Sequence, residues 1–197
     1  MSALIILASK SAARRALLES TGVPFKALGS GVAEDVVKRR LKGAPVRDIA
    51  TALAEAKALA VSRANPQAYV IGADQILSLN GEPLDKPADK DEARARILAL
   101  SGVTHVLETS AVVARGARIL WRGHAAPTLL MRQLKTEEID AYMAAARTSI
   151  IESVGAYQLE DVGVRLFERI DGAYADILGL PMTPLLRFLR GEGLLSF

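Results

Sequence analysis

The stretch "YVIGADQILSLNGEPLDKP", residues 69–87, decides the fold. Tyr69, Val70, Ile71, Ile76, Leu77 and Leu79 have the composition of a buried strand. Asn80-Gly81 then reads as a hairpin turn, and a second charged cluster, Asp85-Lys86-Pro87, follows it. Midway along the strand stands an acid, Asp74. An unpaired carboxylate costs several kcal/mol to bury, so Asp74 is expected in an open cleft, in an ion pair or on a metal. Pairing with a nearby arginine is the plain alternative. Gly72, two positions earlier, lets a ligand or another backbone come close.

Outward from this strand, helical and strand patterns intermingle. "ALIILAS" reads as a short buried strand entering the helix "SAARRALLESTG", with Ser11 as N-cap and Gly22 as the stop. "FKALGS" reads as a second strand, and residues 33–42 and 45–64 as helices. In the longer one Ile49, Leu53, Ala56 and Ala60 form the predicted apolar stripe, with Pro45 suited to the first turn. Residues 88–102 form an amphipathic helix closed by Gly102. Two strands around "HVLETSAVVA" and "RILWRGHAAPTLLMR" are joined by a turn at Arg115-Gly116. A helix starts at Thr136, with Glu137 and Glu138 in its first turn. A glycine-bearing loop (153–163), the strand "VRLFERI" and a last helix after "GLP" complete the chain. No repeat or linker interrupts it. An α/β or α+β architecture with a mixed sheet follows.

The 197 residues suffice for a single domain, or two closely packed lobes, spanning 1–197. Half of them are hydrophobic and 5% aromatic, so Ala, Leu, Val and Ile must build the core. The absence of cysteine excludes disulfides, thiolate metal sites and a cysteine nucleophile. The apolar run near the N-terminus is too short for a signal peptide or a membrane span, and a cytoplasmic protein is expected. Charge is uneven: residues 1–63 hold eleven Lys/Arg against five Asp/Glu, and residues 64–197 hold fourteen against seventeen. A basic first third points to an anionic partner. For the run Lys38-Arg39-Arg40-Lys42 itself, a solvated helix face is the simpler reading. No base-stacking aromatics are interleaved with it, so a stable nucleic-acid complex is not expected.

Three constellations can do chemistry. In "ILASKSAARRALL" a strand delivers the chain to a helix N-terminus that favours an anion, and Arg14 and Arg15 can add bidentate contacts to phosphate. Asp74 is the second. The third is the set Glu34, Lys57, Asp85 and Lys86. Lys57, among Ala and Leu, either reaches from an apolar helix face toward an anion or snorkels to solvent. Phosphate-loop, dinucleotide-fingerprint and nucleophile-elbow patterns are absent. His105 and His124, nineteen residues apart, do not form a zinc-site pattern and read as hydrogen-bonded strand-end residues.

In order, "ILASKSAARRALLESTGVPF", Glu34, "LAEAKA", "VIGADQILSLNGEPLDKP", "ARILALSGVTH", "VGAYQLED", "LFERIDG" and "ILGLP" resemble the Maf family of nucleotide pyrophosphatases, from about Leu4 to Arg190. The resemblance implies an elongated α/β mixed-sheet fold, Maf/ITPase-like, with two lobes around a nucleotide cleft, and a homodimer. It implies metal-dependent hydrolysis of a nucleoside triphosphate to monophosphate and diphosphate, and the clearing of modified nucleotides. Asp74 then matches the proton acceptor. Ser11, Arg14, Lys57 and Lys86 become candidate phosphate-binding residues, and Glu34 joins Asp74 as a candidate ligand of Mg²⁺ or Mn²⁺. The strand would place a base where water must be activated.

This chain departs from the family pattern at three places. Ser11-Ala12-Ala13-Arg14 stands where many members read S-P-R-R, "GADQ" replaces G-A-D-T, and Glu160 replaces a glutamine. Gln75 with Glu160 resembles the branch acting on 7-methyl-GTP, and an acceptor-only carboxylate suits the donor edge of guanine. That branch tends to carry Trp where this chain has Ala13, so a stacking partner for a methylated base is missing there. Ala13, Gln75 and Glu160 are thus the candidate base-specificity positions. The alternative reading is a nucleotide-binding regulator of septum formation with little turnover.

Overall fold

The computed structural model describes residues 4–197. Eight strands in a mixed sheet and seven α-helices are described, and the chain divides into two compact units. No helix among the described residues is long and apolar enough to cross a membrane.

Among the described residues, unit 1 comprises 4–75, 108–126 and 173–197. Its strands are β1 (Ile5–Leu7), β2 (Lys26–Ala27), the first part of β3 (Tyr69–Leu79), the second part of β5 (Thr104–Arg115) and β6 (Arg118–Ala125). β1 runs parallel to β2 and to β3, with Ile5 opposite Tyr69 and Leu7 opposite Ile71. β5 and β6 are antiparallel, with Ser110 opposite His124. The unit's helices are α1 (Ala12–Glu19), α2 (Glu34–Arg40), α3 (Val46–Ala64), α6 (Tyr174–Ile177) and α7 (Met182–Gly191).

Alternation along β3 sorts its side chains. Tyr69, Ile71 and Ala73 join a buried cluster with Leu18 of α1 and Leu185 and Leu189 of α7. Val70 turns to the other side, where it packs with Val61 of α3. Both faces are covered, which explains why the run is apolar at nearly every position. Val70, Gly72 and Asp74 share the α3 side by parity.

α3 carries its buried face on Val46, Ile49, Ala50, Leu53, Ala54, Lys57, Ala58, Val61 and Ser62. The predicted stripe therefore holds at Ile49 and Leu53 and fails at Ala56 and Ala60, which are half-buried. Beyond Leu53 the buried face continues through Ala54, Lys57 and Ala58, so Lys57 lies inward rather than on a solvated face. α2 buries none of its residues; Glu34 and Asp35 occupy its first turn and Lys38, Arg39 and Arg40 its last. That order complements the helix dipole at both ends, so the basic run closes a surface helix.

Unit 2 comprises residues 76–107 and 127–172. The end of β3 pairs antiparallel with β4 (Glu82–Leu84) through the turn at Asn80 and Gly81, both at positive φ. The start of β5 pairs with β7 (Thr128–Met131), and β7 with β8 (Phe167–Asp171). Helices α4 (Lys90–Leu100) and α5 (Thr136–Ala145) begin at Asp89, whose side chain accepts from the Glu92 N–H, and at Lys135, whose N–H donates to Glu138.

Four expectations need correction. "RILWRGHAAPTLLMR" is two strands, because Pro127 has no N–H to continue a ladder. The turn before β6 centres on Gly116 and Ala117, whose φ values are +54° and +61°. Only Phe167–Asp171 of "VRLFERI" is strand; Val162–Leu166 is a 3₁₀ turn started by Asp161, whose side chain accepts from the Val162 N–H. The strand in "FKALGS" shrinks to Lys26–Ala27. The two histidines are hydrogen-bonded as expected: His105 to the Tyr157 hydroxyl at 2.7 Å, and His124 to Glu108 at 2.6 Å.

Candidate functional site

Asp74 is buried, 7% exposed, on the α3 side of β3. Lys57 Nζ donates to Asp74 Oδ1 at 2.6 Å and lies 2.7 Å from Glu34 Oε1. One ammonium thus holds two carboxylates, one sealed within the unit and one 44% exposed at its surface. Of the three environments open to Asp74 from the sequence, the ion pair is the one observed, and its partner is a lysine rather than an arginine. Lys57 does not snorkel; it bridges.

Gly72 makes this pairing possible. A Cβ there would stand 2.6 Å from the Ala58 backbone nitrogen and 2.9 Å from the Ala58 Cβ, and would collide with the Ala54 carbonyl oxygen. The close approach foreseen at Gly72 is therefore that of α3, whose next inward residue is Lys57. Small residues on both elements bring a helix lysine onto a strand aspartate.

Arg14 completes the cluster. The Ser11 side chain caps α1 by accepting from the Arg14 N–H at 3.3 Å. The Arg14 Nε donates to the Gly179 carbonyl at 3.0 Å. Burial pushes the Arg14 guanidinium below its ordinary value, while the charges of Asp74 and then Glu34 pull it back up. Both carboxylates are therefore close enough for their fields to act on Arg14. Two cations and two anions share the site, a balance that leaves no net repulsion toward either a phosphate or a metal ion.

The cluster's oxygen donors for a hard cation are the carboxylates of Glu34 and Asp74. Both converge on the Lys57 ammonium, and Mg²⁺ requires only one or two carboxylates when phosphate oxygens and water complete its shell. Among the described residues no cluster of three or more His, Cys, Asp or Glu offers a denser protein-only cage.

Gln75 points the other way along the strand. Its amide nitrogen donates to Thr109 Oγ1 at 2.7 Å and to the carbonyls of Ile177 at 3.0 Å and Asp176 at 3.1 Å. Both amide hydrogens are committed. Ala13 is half-buried in the first turn of α1. Thr109 and Gly179 were not foreseen. They make their contacts from more than thirty residues away in the chain, and only the "ILGLP" pattern pointed toward Gly179.

Lys86 and Glu160 belong to unit 2, and both are exposed. Lys86 lies between Asp85 and the buried Pro87. Arg96 of α4 donates through Nη1 to the Asp85 carbonyl at 2.9 Å and to the Val154 carbonyl at 2.6 Å. It ties the turn carrying Lys86 to the loop leading toward Glu160. In unit 1 a cavity of about 480 Å³ lies along Arg15, Glu19, Val23, Pro24 and Phe25, and none of Arg14, Glu34, Lys57 or Asp74 lines it. Asp74 itself is a paired, buried acid, with Glu34 at the solvent side.

The Maf-like protein family matches residues 4–192. The chain belongs to the Maf family. Its curated relatives carry two kinds of name. A nucleoside triphosphate pyrophosphatase of Caulobacter vibrioides is 46% identical over 194 residues, covering 98% of this chain and 97% of the relative. One of Granulibacter bethesdensis is 44% identical, covering 94% and 95%. A 7-methyl-GTP pyrophosphatase of Brucella abortus biovar 1 is 44% identical over 194 residues, covering 98% of each. Nearly equal identity to both kinds leaves base choice to individual residues of the Maf chain.

Proposed function

We propose that this Maf protein is a nucleoside triphosphate pyrophosphatase that hydrolyses the α–β phosphoanhydride and clears modified nucleotides. One observation carries the reading: Asp74, Lys57, Glu34 and Arg14 converge within a single unit, in a family whose relatives are named for this reaction. Water attacks the α-phosphorus, its oxygen forms the new P–O bond, and the bond to the bridging oxygen breaks. Nucleoside monophosphate and diphosphate leave. Asp74 orients the water and takes its proton. Lys57 has three N–H donors, two of them engaged, and the third is assigned to a phosphate oxygen. Arg14 adds Nη contacts, the N-terminus of α1 behind Ser11 adds backbone N–H groups, and Lys86 is a further phosphate ligand.

Glu34 and Asp74 would hold Mg²⁺ or Mn²⁺, which when bound neutralises charge on phosphate oxygens. Glu34, the exposed member, marks the side from which substrate approaches. Base preference is assigned to Glu160 and the Ala13 position, with a guanine or 7-methylguanine edge meeting the Glu160 carboxylate. Gln75 contributes through what it holds, since its amide hydrogens are occupied. The protein is proposed to act as a cytoplasmic homodimer, with a nucleotide as partner and neither nucleic acid nor membrane.

The second reading, a nucleotide-binding regulator with little turnover, is favoured by the burial and pairing of Asp74. Diphosphate release across a nucleotide panel, with and without Mg²⁺, separates the two. Release supports the enzyme, and tight binding without product supports the regulator.

A further inference from the structure

The segment from Asp176 to Gly179, the end of α6 and the turn after it, touches the candidate site without belonging to it. Asp176 O accepts from Gln75 Nε2 at 3.1 Å, from Thr109 Oγ1 at 3.0 Å and from the Gly179 N–H at 3.2 Å. Ile177 O accepts from Gln75 at 3.0 Å. Just beyond, Leu180 is fully buried, and its N–H donates to Ala175 O at 3.0 Å. The segment is fixed at both ends, and its last carbonyl is that of Gly179.

That carbonyl receives Arg14 Nε. A guanidinium is planar, so a hydrogen bond at Nε sets the direction of both Nη groups. Gly179 stands at φ +102°, and a Cβ there would lie 2.9 Å from Arg14 Nε and 3.3 Å from Nη2. Glycine is required twice, by the backbone and by the guanidinium lying against it. The strand supplies the link: Asp74 faces α3 on one side, and the next residue, Gln75, holds the loop on the other.

The geometry points to the Asp176–Gly179 segment as a jig that aims Arg14, with Gln75 and Gly179 as positioning residues for phosphate binding. This rests on the assignment of Arg14 as a phosphate ligand. It gives Gln75 a role other than reading the base: its amide fixes the carbonyls of Asp176 and Ile177, and the Gly179 carbonyl two residues further along the same segment holds the arginine. A threonine at this position could not span to two successive carbonyls as the longer amide does.

The test is a pair of double-mutant cycles, Gln75→Leu with Arg14→Met and Gly179→Ala with Arg14→Met, read as KM and kcat for diphosphate release. A charge-assisted bond to phosphate is typically worth about 10–100-fold, and misaiming forfeits part of it. Each positioning variant is expected to raise KM about 5–10-fold with kcat within about twofold, the pattern of lost uniform binding. Neither is expected to add anything once Arg14 is Met. Effects that multiply, or an unchanged KM, overturn the inference. If Gly179→Ala fails to fold, the Gln75→Leu cycle decides alone. If the wild-type protein releases no diphosphate, the functional reading fails separately. The jig is then judged by hydrogen exchange at Arg14 Nε–H, slow in the wild type and faster in Gln75→Leu if it holds, equal in both if it does not.

Discussion

Lys57 Nζ sits 2.6 Å from Asp74 Oδ1, and both side chains are only 9% exposed. The ion pair joins the inward face of α3 to the middle of β3. Removing one member of a buried pair leaves the other uncompensated, at a cost of about 3–5 kcal/mol. Lys57→Met is therefore expected to lower unfolding stability by that order and to abolish diphosphate release. Chemical denaturation checks the first part. A stability loss under about 1 kcal/mol would mean water reaches Asp74 far more freely than its burial indicates.

Gly72 sets how closely α3 approaches. Gly72→Ala would drive a methyl group into the Ala54 and Ala58 backbone, which cannot yield as a flexible side chain does. Overpacking of this kind costs roughly 1–3 kcal/mol or more. The upper end of that range is expected, together with lost turnover as Lys57 is pushed from Asp74. Thermal melting and activity read the two effects, and a variant stable and active as the wild type would contradict the packing described.

His105 offers a pH test within unit 2. It is 1% exposed, and burial pushes its imidazole down to about 4, against the opposing effect of the Val103 backbone. The unfolded chain takes up a proton near pH 6.5 that the folded protein refuses until about pH 4. Stability from this group is fully present above pH 6.5 and falls as pH drops toward 4, by on the order of 3 kcal/mol across the window. Carboxylates add their own losses below about pH 5, so the interval from pH 6.5 to 5 is the informative one. His105→Gln is expected to flatten the stability profile there, as measured by urea midpoints. An unchanged slope would assign the pH dependence to other groups.

Glu160→Gln is expected to shift base preference away from guanine nucleotides, since an amide presents a donor where the carboxylate only accepts. Ranking a nucleotide panel by kcat/KM checks it. An identical ranking would show that Glu160 does not meet the base.

Much of this fold was legible in the sequence, and the exceptions have physical causes. The β3 strand, its Asn80-Gly81 turn, the Ser11 cap and most helix spans follow from local patterns that the structure repeats. The inward face of α3 did not, because alanines at 54, 56, 58 and 60 fit either side and a lysine ordinarily marks the outside. Lys57 becomes interior only because β3 presents an acid to it. The partners of Gln75, Thr109 and the carbonyls of Asp176 and Ile177, were not legible because they are remote in the chain. The break at Pro127 was readable, and the apolar run on either side of it masked the signal.

Diphosphate release from a panel including 7-methyl-GTP, with Mg²⁺, by the wild-type protein and Asp74→Asn tests the central claim most directly. A positioned base contributes about 10²–10⁴-fold, so the variant should lose at least two orders of magnitude in turnover while keeping nucleotide affinity. Near-normal turnover in Asp74→Asn, or tight nucleotide binding by the wild type with no product, would contradict the account.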